Sequence, residues 1–314
     1  MSASKGEITE LRVVVTSFFV DLLDIVMNLF IAILTGSVVM LSEFFQGLAD
    51  LTAAGFLLIG HARSKKKADK IHPFGHGKEV YFWTLISAVI MMTLTATASF
   101  YFGLERLLNP REIEFIGYGY AALMIALVTN GYALSLSVRK IVEDKPLRFL
   151  PRMFLKTTIV ATKNALVLDL MGTLAAGSGL LSLFLYQFTG DTRFDGIGAM
   201  VIGITTAVLA FILILGLKGL LIGERASIHL ENKIRKAALL VKQVKEVLDL
   251  RTMQIGPDKL LANIEVHMQD HLNTDEIERI VDKIKRTIHK KVPSVAHVQV
   301  ELETPEQNTD KNNK

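Results

Sequence analysis

The chain has 314 residues, 50% of them hydrophobic, a formal charge of +4 and no cysteine, with a mean hydropathy of +0.38. This is too apolar for an ordinary soluble enzyme. Disulfides and thiolate metal sites are excluded, and basic residues gathered beside apolar runs point to lipid headgroups, not nucleic acid.

Six apolar runs follow in order, at roughly 12–38, 41–61, 80–107, 114–138, 157–187 and 196–222. Each is long enough to cross a bilayer. Segments of this length inside lipid satisfy their own backbone only as helices. The first run exceeds the apolar core of a cleaved signal and is read as a retained span. Segment 62–79 holds Arg63, Lys65, Lys66, Lys67, Lys70 and Lys78; segment 139–156 holds Arg139, Lys140, Lys145, Arg148, Arg152 and Lys156. The alternate connections offer Arg111 and Arg193. The positive-inside bias puts both basic loops and both termini in the cytoplasm. No Arg/Ser-rich transit segment is visible, which points to a prokaryotic plasma membrane.

From Gly223 the pattern changes. Residues 229–243 have helical periodicity, and Val247–Ile255 and Leu260–Met268 alternate as strands around a Gly256-Pro257-Asp258 turn. Asn273 with Glu276 forms a capping-box pattern for a helix to about Lys291, ended by Pro293; Val295–Leu302 is a third strand. The order αββαβ predicts one sheet with two helices on one face. Met253 and Met268 are expected in its core. The expected architecture is an all-α six-helix transmembrane domain (residues 1–222), a small cytoplasmic α+β domain (223–303) and a disordered tail (304–314).

Ionisable groups inside spans are functional candidates. Asp50 lies mid-span, with Gln46 one turn before it on the same helical face. Asp169 lies in an apolar stretch with no charge within several residues. A lone buried carboxylate is costly unless paired or bound to a cation. The two Asp on different helices are therefore candidates to share one divalent ion, against the alternative of helix–helix hydrogen bonding. Asp21 and Asp24 either line a watery cavity or sit at the interface, and Glu43, at a span start, is expected at the interface. Trp83 is expected as an interfacial anchor.

Between the second and third runs, Asp69, His72 and His76 fall within eight positions of a glycine-bearing loop. Their ligand types suit a divalent metal, and the neighbouring lysines lower the expected affinity. In the tail, Glu265 with His267 and Glu301 with Glu303 share strand faces. They form either a metal site at a dimer interface or a solvated polar face. No nucleophile–base pair, phosphate loop or zincin motif is present, so an enzyme is not expected.

The chain resembles the cation diffusion facilitator family of divalent metal/proton antiporters, over about residues 11–303. The resemblance rests on Thr35-Gly36-Ser37, Leu48-Ala49-Asp50, His72-Pro73-Phe74-Gly75-His76-Gly77-Lys78, and Asp249-Leu250-Arg251-Thr252 with Ile255-Gly256-Pro257. Glu79-Val80-Tyr81-Phe82-Trp83 and the segment 250–258 are most similar to the zinc-transporter-9-like branch. The resemblance implies a homodimer, a six-span fold with a cytoplasmic ferredoxin-like tail, and a transport site built from the second and fifth spans.

Asp50, Asp169, Asp69, His72 and His76 match the family pattern. The chain departs from it at Gln46 and Ala165, where family members carry His or Asp, and at Glu265 and Glu301, where well-known members carry histidine. Gln46, Asp50 and Asp169 are all oxygen donors, with Asn164, Asp24 or water available to complete the shell. Such a set suits manganese, ferrous iron or magnesium better than zinc. With both imidazoles missing, exchanged protons would have to ride on Asp50 and Asp169. The expected activity is efflux of a divalent metal (zinc, manganese, iron or cobalt) as substrate and regulator, in exchange for protons. The alternative is a non-transporting membrane metal sensor or scaffold.

Overall fold

The computed structural model describes residues 22–142, 146–156, 160–257 and 259–305. Asp21 and the start of the first predicted span lie outside the described residues, as do Lys145 and Asp258. The chain divides into two compact units: residues up to Ala62 with Val80–Lys218, and Arg63–Glu79 with Gly219 onward.

The first unit is helical. Its elements are α1 (Leu22–Thr35), α2 (Val38–Ser64), α3 (Glu79–Leu108), α4 (Ile116–Val142), α5 (Leu150–Lys156), α6 (Val160–Thr189) and α7 (Arg193–Ile222). Four of them, α3, α4, α6 and α7, are long and apolar enough to cross a membrane. The described part of α1 is shorter than a span. α2 is long enough, but Ser42, Glu43, Gln46 and Asp50 dilute its apolar character. Segment 139–156, expected as a loop, instead contains the end of α4, a short 3₁₀ turn at Leu147–Phe149 and α5. α3 carries a π-helical turn at Met91–Thr95. Trp83 stacks on Phe56 of α2, with ring centroids 5.6 Å apart.

The Thr35-Gly36-Ser37 motif has a physical reason. Gly36 adopts φ +65°, which turns the chain sharply between α1 and α2. The buried Asp195 carboxylate, in the first turn of α7, then accepts hydrogen bonds from Ser37 Oγ (2.6 Å), Val38 N (2.8 Å) and Val39 N (3.2 Å). It caps α2 from another helix and complements the positive end of the α2 dipole. Arg106 of α3 lies 3.9 Å from Asp195 and donates to the carbonyls of Gly36 and Arg111. One buried ion pair thus ties together the ends of α2, α3 and α7. Where α3 crosses α7, Gly103 and Gly196 meet: a Cβ on either would fall 2.6 Å from the other's carbonyl oxygen. Small residues at such crossings let helices approach closely inside lipid. The core nearby is built from Val39, Met40, Leu123, Ala175, Leu183 and Ile202.

The second unit contains α8 (Ile228–Leu239), β1 (Val244–Gly256), β2 (Lys259–Met268), α9 (Thr274–Lys291) and β3 (Val295–Leu302), the expected αββαβ order. The sheet order is β1-β2-β3. β1 pairs antiparallel with β2, and β3 returns parallel to β2 after α9. β2 alternates strictly between buried and partly exposed residues, so one face is core. Ile264 and Val266 from that face pack with Ile234 of α8 and with Ile280, Ile284 and Ile288 of α9. Ser227 caps α8, and the Asn273/Glu276 capping box is present. Met268 is in this core, but Met253 is only partly buried and lies against Gly223 instead.

Candidate metal sites

In the helical unit, Gln46 Nε2 donates to Asp50 Oδ1 at 3.1 Å, one turn along α2. Thr206 of α7 donates to Gln46 Oε1 at 3.4 Å. Gln46 is buried and Asp50 partly so. In this arrangement Gln46 gives its NH₂ to the carboxylate, and ligation by Gln46 would require its carbonyl oxygen to turn towards the ion.

Asp169 faces a different neighbour. Its Oδ2 accepts from Ser137 Oγ of α4 at 2.5 Å. The structure therefore holds Gln46 and Asp50 together and places Asp169 at the α4–α6 contact. Asn164, also on α6, is buried, and its Oδ1 has no hydrogen-bond partner among the described residues.

Among the buried charges of this unit, Arg106, Lys163 and Asp195 escaped the sequence reading. Glu43, expected at an interface, is only 5% exposed. Lys163 is fully buried; its Nζ donates to Gly216 O at 2.9 Å and sits 5.6 Å from the Phe154 ring centroid. The signal was present in the run itself, as a lysine six residues before Asp169.

The loop site is formed within the second unit. Asp69 Oδ1 accepts from the backbone N–H of Ile71 (2.9 Å) and His72 (2.6 Å), which closes a tight turn. Gly75 N donates to His72 O at 2.9 Å. These bonds bring His76 Nε2 to 2.9 Å from Asp69 Oδ2, and His72 Nδ1 to 3.4 Å from Asp69 Oδ1. One ligand atom from each of Asp69, His72 and His76 lies within 4.8 Å of the others. Among the described residues no other set of three His, Asp or Glu side chains meets this condition. The backbone and His76 hydrogen bonds, led by the His72 N–H, hold the Asp69 carboxyl well below the usual carboxylate range.

Glu79, which the sequence reading did not select, places Oε1 3.5 Å from His76 Nδ1, and Arg63 stands 3.8 Å from the same oxygen. His76 Nδ1 makes no hydrogen bond among the described residues, so Glu79 acts on it as a nearby charge; a carboxylate that closes onto the rear nitrogen of a ligating imidazole would orient the ring. The loop rests on the tail of its own unit. Gly77 packs against Ile255 and Gly256, and Phe74 meets His297 edge-on at 5.3 Å.

The tail set is more dispersed. Glu265 lies opposite Glu301 in the parallel β2–β3 register, and His267 opposite Glu246 in β1. Glu301 Oε1 accepts from Asn263 (3.1 Å) and Gln299 (3.2 Å), and Glu303 lies just beyond β3. Residues two apart on a strand stand about 7 Å apart, so one chain does not close these four residues around an ion.

The chain combines an apolar helical unit that holds carboxylates with a small α/β unit that carries an Asp/His/His set of metal-ligand types, the make-up of a membrane protein. The chain belongs to the cation efflux family. The family's transmembrane domain matches residues 14–216 and its cytoplasmic domain residues 228–305. The proton-coupled zinc antiporter SLC30A9, mitochondrial, of Xenopus laevis is 26% identical over 88% of this chain and 51% of its own length. The Homo sapiens protein of that name is 24% identical over 93% of this chain and 58% of its own. This chain therefore spans little more than half the length of these curated relatives. The cation-efflux pump FieF of Klebsiella pneumoniae is 27% identical over 82% of this chain and 81% of its own length. A solved MamM CTD in its nickel form covers 26% of this chain and all of its own, at 21% identity and TM-score 0.24.

Proposed function

We propose that the protein is a secondary transporter that moves a divalent metal cation out of the cytoplasm in exchange for protons. The observation that carries this reading is the pair Asp50 and Asp169: two carboxylates inside apolar helices, a costly arrangement that a purely structural membrane protein has no need for. Membership of the cation efflux family supports it. So do the relatives, whose names describe proton-coupled zinc antiport and cation efflux.

In this reading α1 and α2 complete a six-span domain with the basic segments and both termini in the cytoplasm, and the tail unit is a cytoplasmic ferredoxin-like dimerisation domain. The family's cytoplasmic-domain match supports that role for the tail. The SLC30A9 relatives are mitochondrial by name. The substrate is zinc, manganese, iron or cobalt, with the oxygen-only set Gln46, Asp50 and Asp169 favouring manganese or iron. Asn164 Oδ1, buried without a partner, is an available fourth oxygen. Because Asp50 and Asp169 have separate partners here, ion capture would require both carboxylates to exchange those partners for the ion. Rocking of one helix group against another would expose the bound ion to each side in turn. Protonation of the two carboxylates would release the ion on the far side. The loop set Asp69, His72 and His76 holds a metal ion of its own, and the tail set Glu265, His267, Glu301 and Glu303 would need a second chain to close.

Proteoliposomes with an acid interior test this reading. Each is offered zinc, manganese, ferrous iron or cobalt, with wild type, Asp50→Ala and Asp169→Ala compared. Uptake lost in both variants, with folding retained, is expected. Retained uptake in either would remove that residue from the site. No uptake by wild type, together with tight metal binding, would favour the sensor or scaffold alternative.

A further inference from the structure

Asp169 belongs to the face of α6 that packs on α4, and the register of that packing is readable. A Cβ on Gly119 would meet Leu183 at 3.0 Å, one on Gly179 would meet Leu123 at 3.0 Å, and one on Gly172 would meet Asn130 Oδ1 at 2.6 Å. These contacts keep one antiparallel offset along the seam. Continued two turns, from Asn130 to Ser137 on α4 and from Gly172 to Ala165 on α6, the same offset sets Ser137 level with Ala165. Ala165 stands one turn before Asp169, ends in a methyl group and is exposed, which leaves the seam open at this level. Ser137 reaches across to Asp169, and its Oγ donates to Oδ2 at 2.5 Å.

A hydroxyl both donates and accepts. Without an ion, the Ser137 proton satisfies one oxygen of a carboxylate that is costly inside an apolar helix. With an ion on Asp169, the hydroxyl hydrogen can rotate away and leave a lone pair for the ion. Adjacent ligands of an octahedral ion with bonds of about 2.1 Å lie about 3.0 Å apart, so an opening of about 0.5 Å turns the hydrogen-bonded pair into two ligands.

We propose that Ser137 of α4 is a ligand of the transported cation: its hydroxyl donates to Asp169 when the ion is absent and binds the ion beside Asp169 when it is present. A third helix then enters the site with a neutral oxygen, which suits manganese or ferrous iron better than zinc. The proposal rests on the reading above that Asp169 holds the cation.

The chain has no cysteine, so Ser137→Cys places its single thiol beside Asp169. In the first arm, Cd²⁺ is added to full-length Ser137→Cys in detergent and the ultraviolet cadmium–thiolate band is recorded. The expected result is a saturable band whose Cd²⁺ affinity falls at least about tenfold when Asp169→Ala is added. No band at saturating Cd²⁺, or a band unmoved by Asp169→Ala, overturns the proposal. If Ser137→Cys does not fold, equilibrium dialysis of the Mn²⁺ binding that Asp169→Ala removes decides instead. Ser137→Ala should weaken that binding at least about tenfold and Ser137→Thr should retain it; unchanged binding in Ser137→Ala overturns the proposal. In the second arm, Mn²⁺ and Zn²⁺ uptake is measured in proteoliposomes with an acid interior. Ser137→Ala should raise KM for Mn²⁺ at least about tenfold, with Ser137→Thr near wild type, and Ser137→Cys should shift preference towards Zn²⁺. Wild-type KM and preference in Ser137→Ala and Ser137→Cys, with uptake lost in Asp169→Ala, overturn the proposal and leave the transport reading standing. A wild type that moves no ion, with an Asp169-dependent band in the first arm, refutes transport and leaves Ser137 as a ligand.

Discussion

Replacing Gly77 by alanine should lift the Asp69/His72/His76 loop off the tail of its own unit. The added Cβ would lie 2.5 Å from Ile255 O, 2.8 Å from Gly256 Cα and 3.3 Å from Ile255 C. All three are backbone atoms of β1, held by its pairing with β2, so no side chain can swing away to make room. Carbon–oxygen contacts normally lie at about 3.3–3.6 Å, so the loop must retreat by about 0.8 Å. Overpacking of this kind costs about 1–3 kcal/mol, a factor of about 5–150 in the balance between docked and undocked loop. The assay is limited tryptic cleavage of full-length protein in detergent, read at Lys65, Lys66 and Lys67. In the regime where cleavage follows the open population, its rate should rise by the same factor. Gly117→Ala is the control, because a Cβ there meets nothing within 4 Å. Cleavage of Gly77→Ala at the wild-type rate would refute the argument that the loop is seated by backbone contact.

Further consequences follow from the same geometry. Asp195→Asn should leave Arg106 buried without its counter-charge and weaken the cap of α2, lowering stability by about 3–5 kcal/mol in detergent thermal unfolding; a loss under about 1 kcal/mol would contradict the cap's role. Glu79→Gln should weaken Zn²⁺ binding at the loop by about 10–100-fold in a chelator competition, through loss of the carboxylate behind His76, and an unchanged affinity would exclude that support. Asp69 is depressed in the folded loop, so its contribution is present above the unfolded value of about 3.9 and is lost only as pH falls through the lower folded value. Loss of loop-bound Zn²⁺ on mild acidification should therefore not follow Asp69. Asp69→Asn should lower affinity without moving the midpoint of that pH profile, and a moved midpoint would show that Asp69 titrates in this range.

The tail was legible because its cues are local. The Asn273/Glu276 box, the Gly256-Pro257 turn and the alternation of Leu260–Met268 each specify a backbone conformation within a few residues. The Asp69/His72/His76 set was legible for the same reason, since one turn closed by Asp69 brings all three together. Glu79 was missed because its closeness to His76 depends on how the loop enters α3. The burial of Glu43 was not legible, because position within an apolar run says how deep a residue lies along one helix, not what covers it. Its burial comes from packing with other helices, a long-range fact. Asp50 and Asp169 were correctly placed inside helices, and the Gln46 neighbour of Asp50 follows from a spacing of four, but the Ser137 partner of Asp169 is set by which helix faces meet. The trans cap from Asp195 to α2 spans 157 positions and leaves no local trace beyond the Thr35-Gly36-Ser37 turn.

The central claim is that a divalent ion and protons exchange through Asp50. It is tested most directly by recording metal uptake and internal pH together in proteoliposomes with an acid interior, for wild type and Asp50→Ala. The account predicts that each metal pulse alkalinises the wild-type interior, with the larger response to manganese or ferrous iron, and that Asp50→Ala abolishes both signals. Metal uptake without proton movement, or both signals intact in Asp50→Ala, would contradict it.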